Sequence, residues 1–495
     1  MNRPNILFIL TDDQGAWALG SAGNREIRTP NLDRLAARGM RCENFFCASP
    51  VCSPARASIL TGRIPSQHGV HDWLSKGNLE HTEGLAHAAA GAGDVVSPYD
   101  DRCIAYLAGM RGTTDALAEA GYTCGLSGKW HLGDSLRPQM GFSYWHVVPY
   151  GGSDYNLSAW IVDGEVRRET GYLSDAITDH ALAFLDSRRG QDGPFYLGVH
   201  YTAPHSPWEE GQHPADLTGL YADCAFESCP DLPAEHPWQI NSAPRGRGEK
   251  RLELLTGYYA AISGVDRGVG RLMAKLAELG LDGETLVIFT GDNGMNMGHH
   301  GIWGKGNGTF PLNMYDTSVK VPFIVSGPGM PGGIVDGHLL SHYDLLPTLL
   351  DYLGLPAEAA DLPGRSFAPL LRGQALPERE RLVVYDEYGP VRMIRTREWK
   401  YVHRYPYGPH ELYDLRGDPG EERNLFGQPE SLAAAQALKG ELDAWFQRYV
   451  DPRVDGAREP VTGKGQMDWS GPRAEGRQAF EDGWYYVDQD GRRKG

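Results

Sequence analysis

The chain has no apolar run approaching the roughly 18 residues that a membrane-crossing helix needs. The apolar run near its start, Ile6 to Leu10, is too short even for the core of a signal peptide, and Asp12 and Asp13 follow at once. A membrane is therefore not an expected partner. With Met1 as the native start the expected compartment is the cytoplasm; a leader upstream of it would make the protein periplasmic or secreted. Positive charge is also scarce: 47 Lys and Arg stand against 64 Asp and Glu, a net charge of −17. That excludes a general nucleic-acid binder, which needs a basic face to neutralise phosphates. A small anion is not excluded, because a local cluster of cations can hold one inside an acidic protein. Cysteine is sparse and odd in number, seven in 495 residues. A chain this long needs no disulfide staples, so reduced thiols are expected; Cys224 and Cys229 are spaced to pair in an oxidising compartment. There is no internal repeat and no low-complexity block.

What is present reads as a folded, loop-rich α/β enzyme of two or three domains. "NILFIL" (residues 5–10) is a continuous apolar run of the kind that forms a central parallel strand buried on both faces. Helix-like "NLDRLAARGM", "TDALAEAGY", "LSDAITDHALAFLDSR" and "YYAAISGVDRGVGRLMAKLAELG" alternate with strand-like "TCGLSGKWHLG", "PFYLGVHY" and "TLVIFTGDNG". The alternation predicts a mixed, mostly parallel central sheet sandwiched by helices. A stretch rich in Pro, Gly and charge, residues 356–382, reads as a boundary. Beyond it "LVVYDEYG", "VRMIRTREWKYVHRY" and "HELYDLRGDPGEERNLFG" read as an antiparallel meander, followed by the helix "SLAAAQALKGELDAWFQRYV". The expected organisation is a catalytic α/β domain over 1–375, a smaller α+β subdomain over 376–450 and a polar, Gly-rich tail over 451–495.

Ligands of such sheets sit outside the carboxyl ends of the strands. Asp12, Asp13, His205, Asp292 and Asn293 each fall just past a strand-like run and should converge on one edge. Asp12 and Asp13 could instead cap a helix or close an Asx-turn. With Asp292 and Asn293, the latter pair flanked by glycines, they make an all-oxygen donor set suited to Ca²⁺ or Mg²⁺ and not to zinc. Lys129 and His131 lie in "GKWHLG", His205 in the Pro-flanked "APHSPW", and Lys305 in the Gly-rich "GIWGKGNGTF". Read singly these are weak: a lysine stem packed on a tryptophan, a capping histidine, a common Gly-Lys-Gly. Read together with Arg56 they supply three cations, two titratable groups and a metal, which suits transfer of a doubly charged tetrahedral oxyanion. Cys52 and Ser53 are the available nucleophiles.

These motifs carry a resemblance. "CSPARASILTGR" is similar to the C-x-P-x-R…TGR signature of type I sulfatases, arylsulfatase-like members of the alkaline phosphatase superfamily. The likeness runs over nearly the whole chain, through "PNILFILTDDQG", "GKWHLG", "PHSPW", "TGDNG", "GIWGKG" and "ELYDLRGDPGEERNL". It implies hydrolysis of a sulfate ester, with a formylglycine-generating enzyme as a maturation partner that oxidises Cys52 to Cα-formylglycine. In that family the hydrated aldehyde attacks sulfur and then expels sulfate. The resemblance implies that Asp12, Asp13, Asp292, Asn293 and residue 52 bind the metal, calcium in preference to magnesium. By the same likeness Arg56 and Lys129 hold the hydrate, His131 is a base, His205 protonates the leaving oxygen, and Lys305 bridges sulfate and leaving group. Pro54 and Arg56 belong to the maturation signal as well.

The superfamily leaves a second reading, a phosphonate monoester or phosphodiester hydrolase. Trp73, Trp160, Trp208 and Trp303 lie near the motifs and suit stacking on sugar rings, which points to a carbohydrate sulfate, with an aryl sulfate next. Residues 75–110 carry no assignable pattern and are expected to build part of the substrate mouth. His299 and His300 are either further pocket residues or surface, and Cys47 an ordinary buried thiol. Asp316 and Lys320 stand where the family often has an acidic residue and an arginine, so the loop carrying Lys305 departs most from the pattern.

Overall fold

A computed structural model describes residues 3–79, 102–357, 361–377 and 384–481. Ten strands form one sheet: β1 (Asn5–Thr11), β2 (Met40–Phe46), β3 (Thr123–Lys129), β4 (Tyr144–Val148), β5 (Leu157–Val162), β6 (Glu165–Thr170), β7 (Phe195–His200), β8 (Thr285–Gly291), β11 (Phe323–Ser326) and β12 (Ile334–Ser341). Between β8 and β11 lies a two-residue ladder of β9 (Asn296–Met297) and β10 (Trp303–Gly304). The order across the large sheet is β12-β2-β11-β8-β1-β7-β3-β4-β5-β6. Its centre, β8-β1-β7-β3-β4, is all parallel. Antiparallel β11 links that block to the parallel pair β2 and β12, and antiparallel β5 and β6 close the other edge.

Strand β1 explains why the sheet is covered on both faces. All seven of its residues are buried, and they feed two cores alternately, as the period of two requires. Ile6, Phe8 and Leu10 join one cluster with Leu117, Leu345 and Leu349, whose helices are Thr113–Glu119 and Leu345–Tyr352. Leu7 and Ile9 join the other, with Leu32, Ile177 and Leu272 from the helices Pro30–Arg38, Leu173–Ser187 and Glu249–Glu278. Helices therefore pack on both sides of a mostly parallel sheet, as the alternation in the sequence implies. The strands β4, β5 and β6 do not stand out in the sequence. β6 reads Glu-Val-Arg-Arg-Glu-Thr and is largely exposed, so its charges guard an edge instead of facing a core.

Near the C-terminus β13 (Val384–Tyr388), β14 (Val391–Arg395), β15 (Trp399–Arg404) and β16 (Glu411–Asp414) form the antiparallel meander. The helix Leu432–Tyr449 packs on it through Leu438, Leu442 and Phe446, and the same cluster takes in Ala48 and Ile64 of the larger body. The tail returns across the main body: Gln466 bridges to Leu74 and is fully buried. The described part of the tail, to residue 481, wraps the main body. No helix among the described residues is long and apolar enough to cross a membrane.

Candidate active site

The floor of the site forms where β1 and β8 release the chain side by side. Thr11 and Gly291 are register partners, so Asp12 and Asp292 leave the sheet together. The Asp292 N–H donates to Thr11 O at 2.9 Å and the Asp12 N–H to Ala203 O, beyond the end of β7, at 3.1 Å. Asp13 sits at φ 63°, a left-handed conformation that Asp tolerates better than most residues. Its N–H donates to Asp292 Oδ1 at 3.1 Å, and Asn293 Nδ2 donates to Asp13 Oδ1 at 2.9 Å.

Three cations are locked onto these carboxylates. Lys129, the last residue of β3, donates to Asp12 Oδ2. Arg56 holds Asp292 Oδ2 through Nε at 2.9 Å and Nη2 at 2.8 Å, and its Nη1 donates to Lys129 O at 3.2 Å. Lys305 Nζ donates to Asp13 Oδ1 and, at 2.8 Å, to Cys52 Sγ. Cys52 is the first residue of the helix Cys52–Thr61, which is buried along its whole length. Ser53, the other candidate nucleophile, is spent as an acceptor for the Leu74 N–H at 3.1 Å and does not line the cavity.

Burial acts to raise the pKa of Asp12, but Lys129, with His205 and Arg56, outweighs it and the net shift is downward. The same contest at Asp13 is won by Lys305 and His205. Asp292 ends above the usual carboxylate range, first through burial and then through Asp12. Burial, then Asp12, pushes the Cys52 thiol up to about 12, so as a cysteine it is a neutral thiol and a poor nucleophile. His131 is held well below its ordinary range by burial, then by Lys129 and Arg56.

The residues fit a hard divalent cation. Asp12 Oδ1 and Asn293 Oδ1 are buried with no hydrogen-bond partner, and an orphaned buried oxygen is costly unless a cation or a donor meets it. One ligand atom each from Asp12, Cys52 and Asp292 lies within 4.8 Å of the others. Asp13 stands beside that trio, held by Lys305 and Asn293.

Above the floor opens a cavity of about 950 Å³, onto which Asp13, Cys52, His131, His205 and Lys305 face. The two histidines present different nitrogens. His131 Nε2 lies 3.1 Å from Leu74 O, and a carbonyl only accepts, so Nε2 carries the proton and Nδ1, which has no partner, keeps its lone pair. His205 Nδ1 donates to Ser206 O at 2.7 Å, leaving Nε2 3.8 Å from Asp13 Oδ2.

Around this cavity some sequence-based expectations hold and others are corrected. Trp73 lines it and Trp208 borders it, but Trp208 is buried and packs with Trp303 in one apolar cluster, and Trp160 is buried in the main core against His180. His299 and His300 do not line the cavity; both are half-buried, His299 tilted against Trp17 and His300 stacked on Tyr315. Of residues 75–110, Ser75 and Asn78 line the cavity, residues 80–101 lie outside the described residues, and Arg102 pairs instead with Asp468 of the tail. Cys224 and Cys229 are free thiols, bonded to Glu26 and Tyr259, and Cys47 is a buried thiol. Asp316 binds Arg395 and Lys400, away from the cavity. The sequence reading also missed mouth residues: Asp154, Glu209 and, from the tail, Gly463 and Lys464. Only a fold that brings the tail back could reveal the last two.

The chain matches known proteins over most of its length. The sulfatase family pattern matches residues 4–100 and 112–355, and the pattern of the C-terminal part of N-sulphoglucosamine sulphohydrolase matches residues 298–448. The chain is 32% identical to human arylsulfatase A, over 89% of this chain and 88% of that one. It is 29% identical to an ulvan-active sulfatase of Formosa agariphila, over 90% and 81%. Among solved structures, a protein in complex with its substrate D-glucosamine-2-N,6-O-disulfate superposes with a TM-score of 0.74 at 24% identity, covering 92% of this chain and all of that one.

Proposed function

We propose that this chain, which belongs to the sulfatase family and is a sulfuric ester hydrolase, cleaves a carbohydrate sulfate with a Cα-formylglycine made from Cys52 beside a calcium ion. An aryl sulfate is the next candidate substrate. One observation carries the reading: at the floor of the cavity Lys305 Nζ touches both Asp13 and the Cys52 sulfur, beside unpartnered oxygens of Asp12 and Asn293. Asp12, Asp13, Asp292, Asn293 and residue 52 would hold the ion, which supplies positive charge against the oxygens of the ester. The modification supplies an oxygen nucleophile in place of an un-ionised thiol, with a second hydroxyl that lets sulfate leave without a separate attack by water.

The chain's own residues then divide the work. Arg56 and Lys129, fixed by Asp292 and Asp12, keep positive charge under residue 52 without having to reorganise. Lys305 stands on the cavity side, where it can meet both the sulfuryl oxygens and the bridging oxygen. His131 stays neutral and offers Nδ1 as a proton acceptor. His205, with Nδ1 committed to Ser206 O, can give a proton to the departing alcohol only from Nε2, in its imidazolium form. The pair thus separates base from acid by burial and by fixed hydrogen bonds. Trp73, half-buried on the cavity wall, suits the face of a sugar ring, and a solved neighbour holds a sulfated glucosamine as its substrate.

The test is expression of the full chain with and without a formylglycine-generating enzyme, followed by the mass of the peptide containing residue 52. Sulfate and phosphate release from a panel of aryl and sugar esters is measured on both samples. Loss of one sulfur and two hydrogens with gain of one oxygen, together with sulfate release confined to the modified protein, is expected. Full turnover by unmodified Cys52 would overturn the reading. Preference for phosphonate monoesters or phosphodiesters would replace the substrate and leave the nucleophile.

A further inference from the structure

The segment carrying Trp73 and Leu74 is held from the far end of the chain. Gln466 Oε1 accepts from the His71 N–H at 2.8 Å, and its Nε2 donates to Gly69 O at 3.0 Å and Asp468 O at 2.9 Å. The Gln466 N–H donates to Trp73 O at 2.7 Å, and Gln466 O accepts from the Ser75 N–H at 3.0 Å. Around it, Asp72 Oδ2 accepts from the Gly465 N–H at 3.0 Å, and Trp73 Nε1 donates to Gly463 O at 3.0 Å. One edge of the 69–75 segment, through Gly69 O, the His71 N–H, Trp73 O and the Ser75 N–H, is therefore satisfied by the tail. Gln466 is fully buried, and every polar atom of its side chain is used.

The clamped segment reaches the chemistry through Leu74. Its N–H donates to Ser53 Oγ, next to Cys52, and its carbonyl accepts from His131 Nε2. That carbonyl fixes which nitrogen of His131 keeps its lone pair, and the ring has no other hydrogen bond to hold it. We propose that Gln466 is a positioning residue for the sulfatase reaction: through residues 71–75 it sets the Leu74 carbonyl that orients His131. The inference rests on the reading of His131 as the base. Neither family pattern extends to residue 466.

The test is a double-mutant cycle in the full-length, formylglycine-bearing protein, with Gln466→Ala, His131→Ala and both together, read on a small aryl sulfate. Gln466→Ala is expected to lower kcat about 10- to 100-fold, the scale of a misplaced catalytic group. KM and the formylglycine content should hardly change. In the His131→Ala background the same substitution should have little further effect, because the group it positions is already gone. An equal loss in both backgrounds, or no loss in the single variant, overturns the proposal while leaving His131 as the base. Wild-type kcat in His131→Ala overturns the base reading and the proposal with it. Gln466→Glu keeps the volume and the acceptor for the His71 N–H. It should retain part of the activity, and it replaces Gln466→Ala in the cycle if that variant does not fold.

Discussion

Two buried charge clusters in this molecule have similar contents and different fates. At the cavity floor Asp12, Asp13 and Asp292 face Arg56, Lys129 and Lys305. Beneath the C-terminal sheet Asp316, Glu421 and Asp386 face Arg395, Lys400 and Lys320. In the second cluster Asp316 is held by Arg395 at 2.9 Å and Lys400 at 2.8 Å, and its N–H donates to Glu421 Oε2 at 2.6 Å. Those contacts join β14, β15, the short helix Asp316–Val319 and the segment after β16, and no member lines the cavity. In the first cluster the carboxylates stand on strand ends, two acceptor oxygens are left over, and an open cavity meets them. Equal charge in two places thus serves a site in one and a staple in the other. Convergence and access separate them, whereas composition does not.

The two clusters should therefore fail differently. Replacing residue 52 is expected to be the largest blow: Cys52→Ala should lower kcat by roughly 10⁵-fold or more, on the scale of losing other catalytic nucleophiles. Its unfolding temperature should stay close to the wild type. Lys305→Ala should cost about 10²–10³-fold in kcat, as for one preorganised cation at developing charge. Its stability should change little, because water in the cavity can reach the group left behind. Lys400→Met inverts the pattern: about 3–5 kcal/mol of stability should go, since the carboxylates it serves are buried. The kcat of the folded fraction should stay near wild type. Denaturant unfolding and kinetics on the three variants check the contrast, and a collapse of kcat in Lys400→Met would erase it.

Much of the first cluster was legible because its residues follow buried strands. An apolar run that stops at Asp12 and Asp13, and another that stops at Asp292, must place carboxylates at one sheet edge if the strands are parallel neighbours. Lys305 was the least secure sequence assignment, since a Gly-rich loop has no periodicity to fix its path; in the structure Asn313 Nδ2 holds that loop at Lys305 O. Trp160 misled because an aromatic in a strand looks the same from sequence whether it faces a core or a cavity, and here it faces the core. The tail was opaque for a different reason. Gln466 acts through backbone hydrogen bonds to residues nearly 400 positions away, and neither hydropathy nor spacing records such pairs. Charge of the second cluster is likewise spread over five segments with no shared motif.

Calcium offers a sharper cut between the clusters. Asp386, in the second, also has two buried oxygens without a hydrogen-bond partner, and burial raises its pKa well above the carboxylate range, Lys400 opposing. If orphaned oxygens alone made a metal site, both clusters would respond to the ion. Calcium at about 100 times its Kd should add about 2.7 kcal/mol to stability. Asp292→Asn should abolish that gain, and Asp386→Asn should leave it intact; thermal unfolding with calcium and with a chelator reads both. A gain lost only in Asp386→Asn would exchange the roles assigned here.

The smallest expected effect lies in the pH dependence of the second cluster. Glu421 titrates above its ordinary 4.5, first because it is buried, with Lys400 opposing and Asp316 adding to the rise. The folded state then binds that proton more tightly than the unfolded chain does. Linkage makes its contribution to stability full below 4.5 and lost as pH rises through the elevated folded value. Between those limits Glu421→Gln, which keeps the shape and cannot ionise, should show a flatter decline of stability with pH than the wild type. Its kcat should be unchanged, because the carboxylate touches Lys400 and the Asp316 backbone and not the cavity. Unfolding curves for the two proteins across that window decide it. Parallel declines would mean that Glu421 is ionised throughout that window and that Lys400 outweighs its burial.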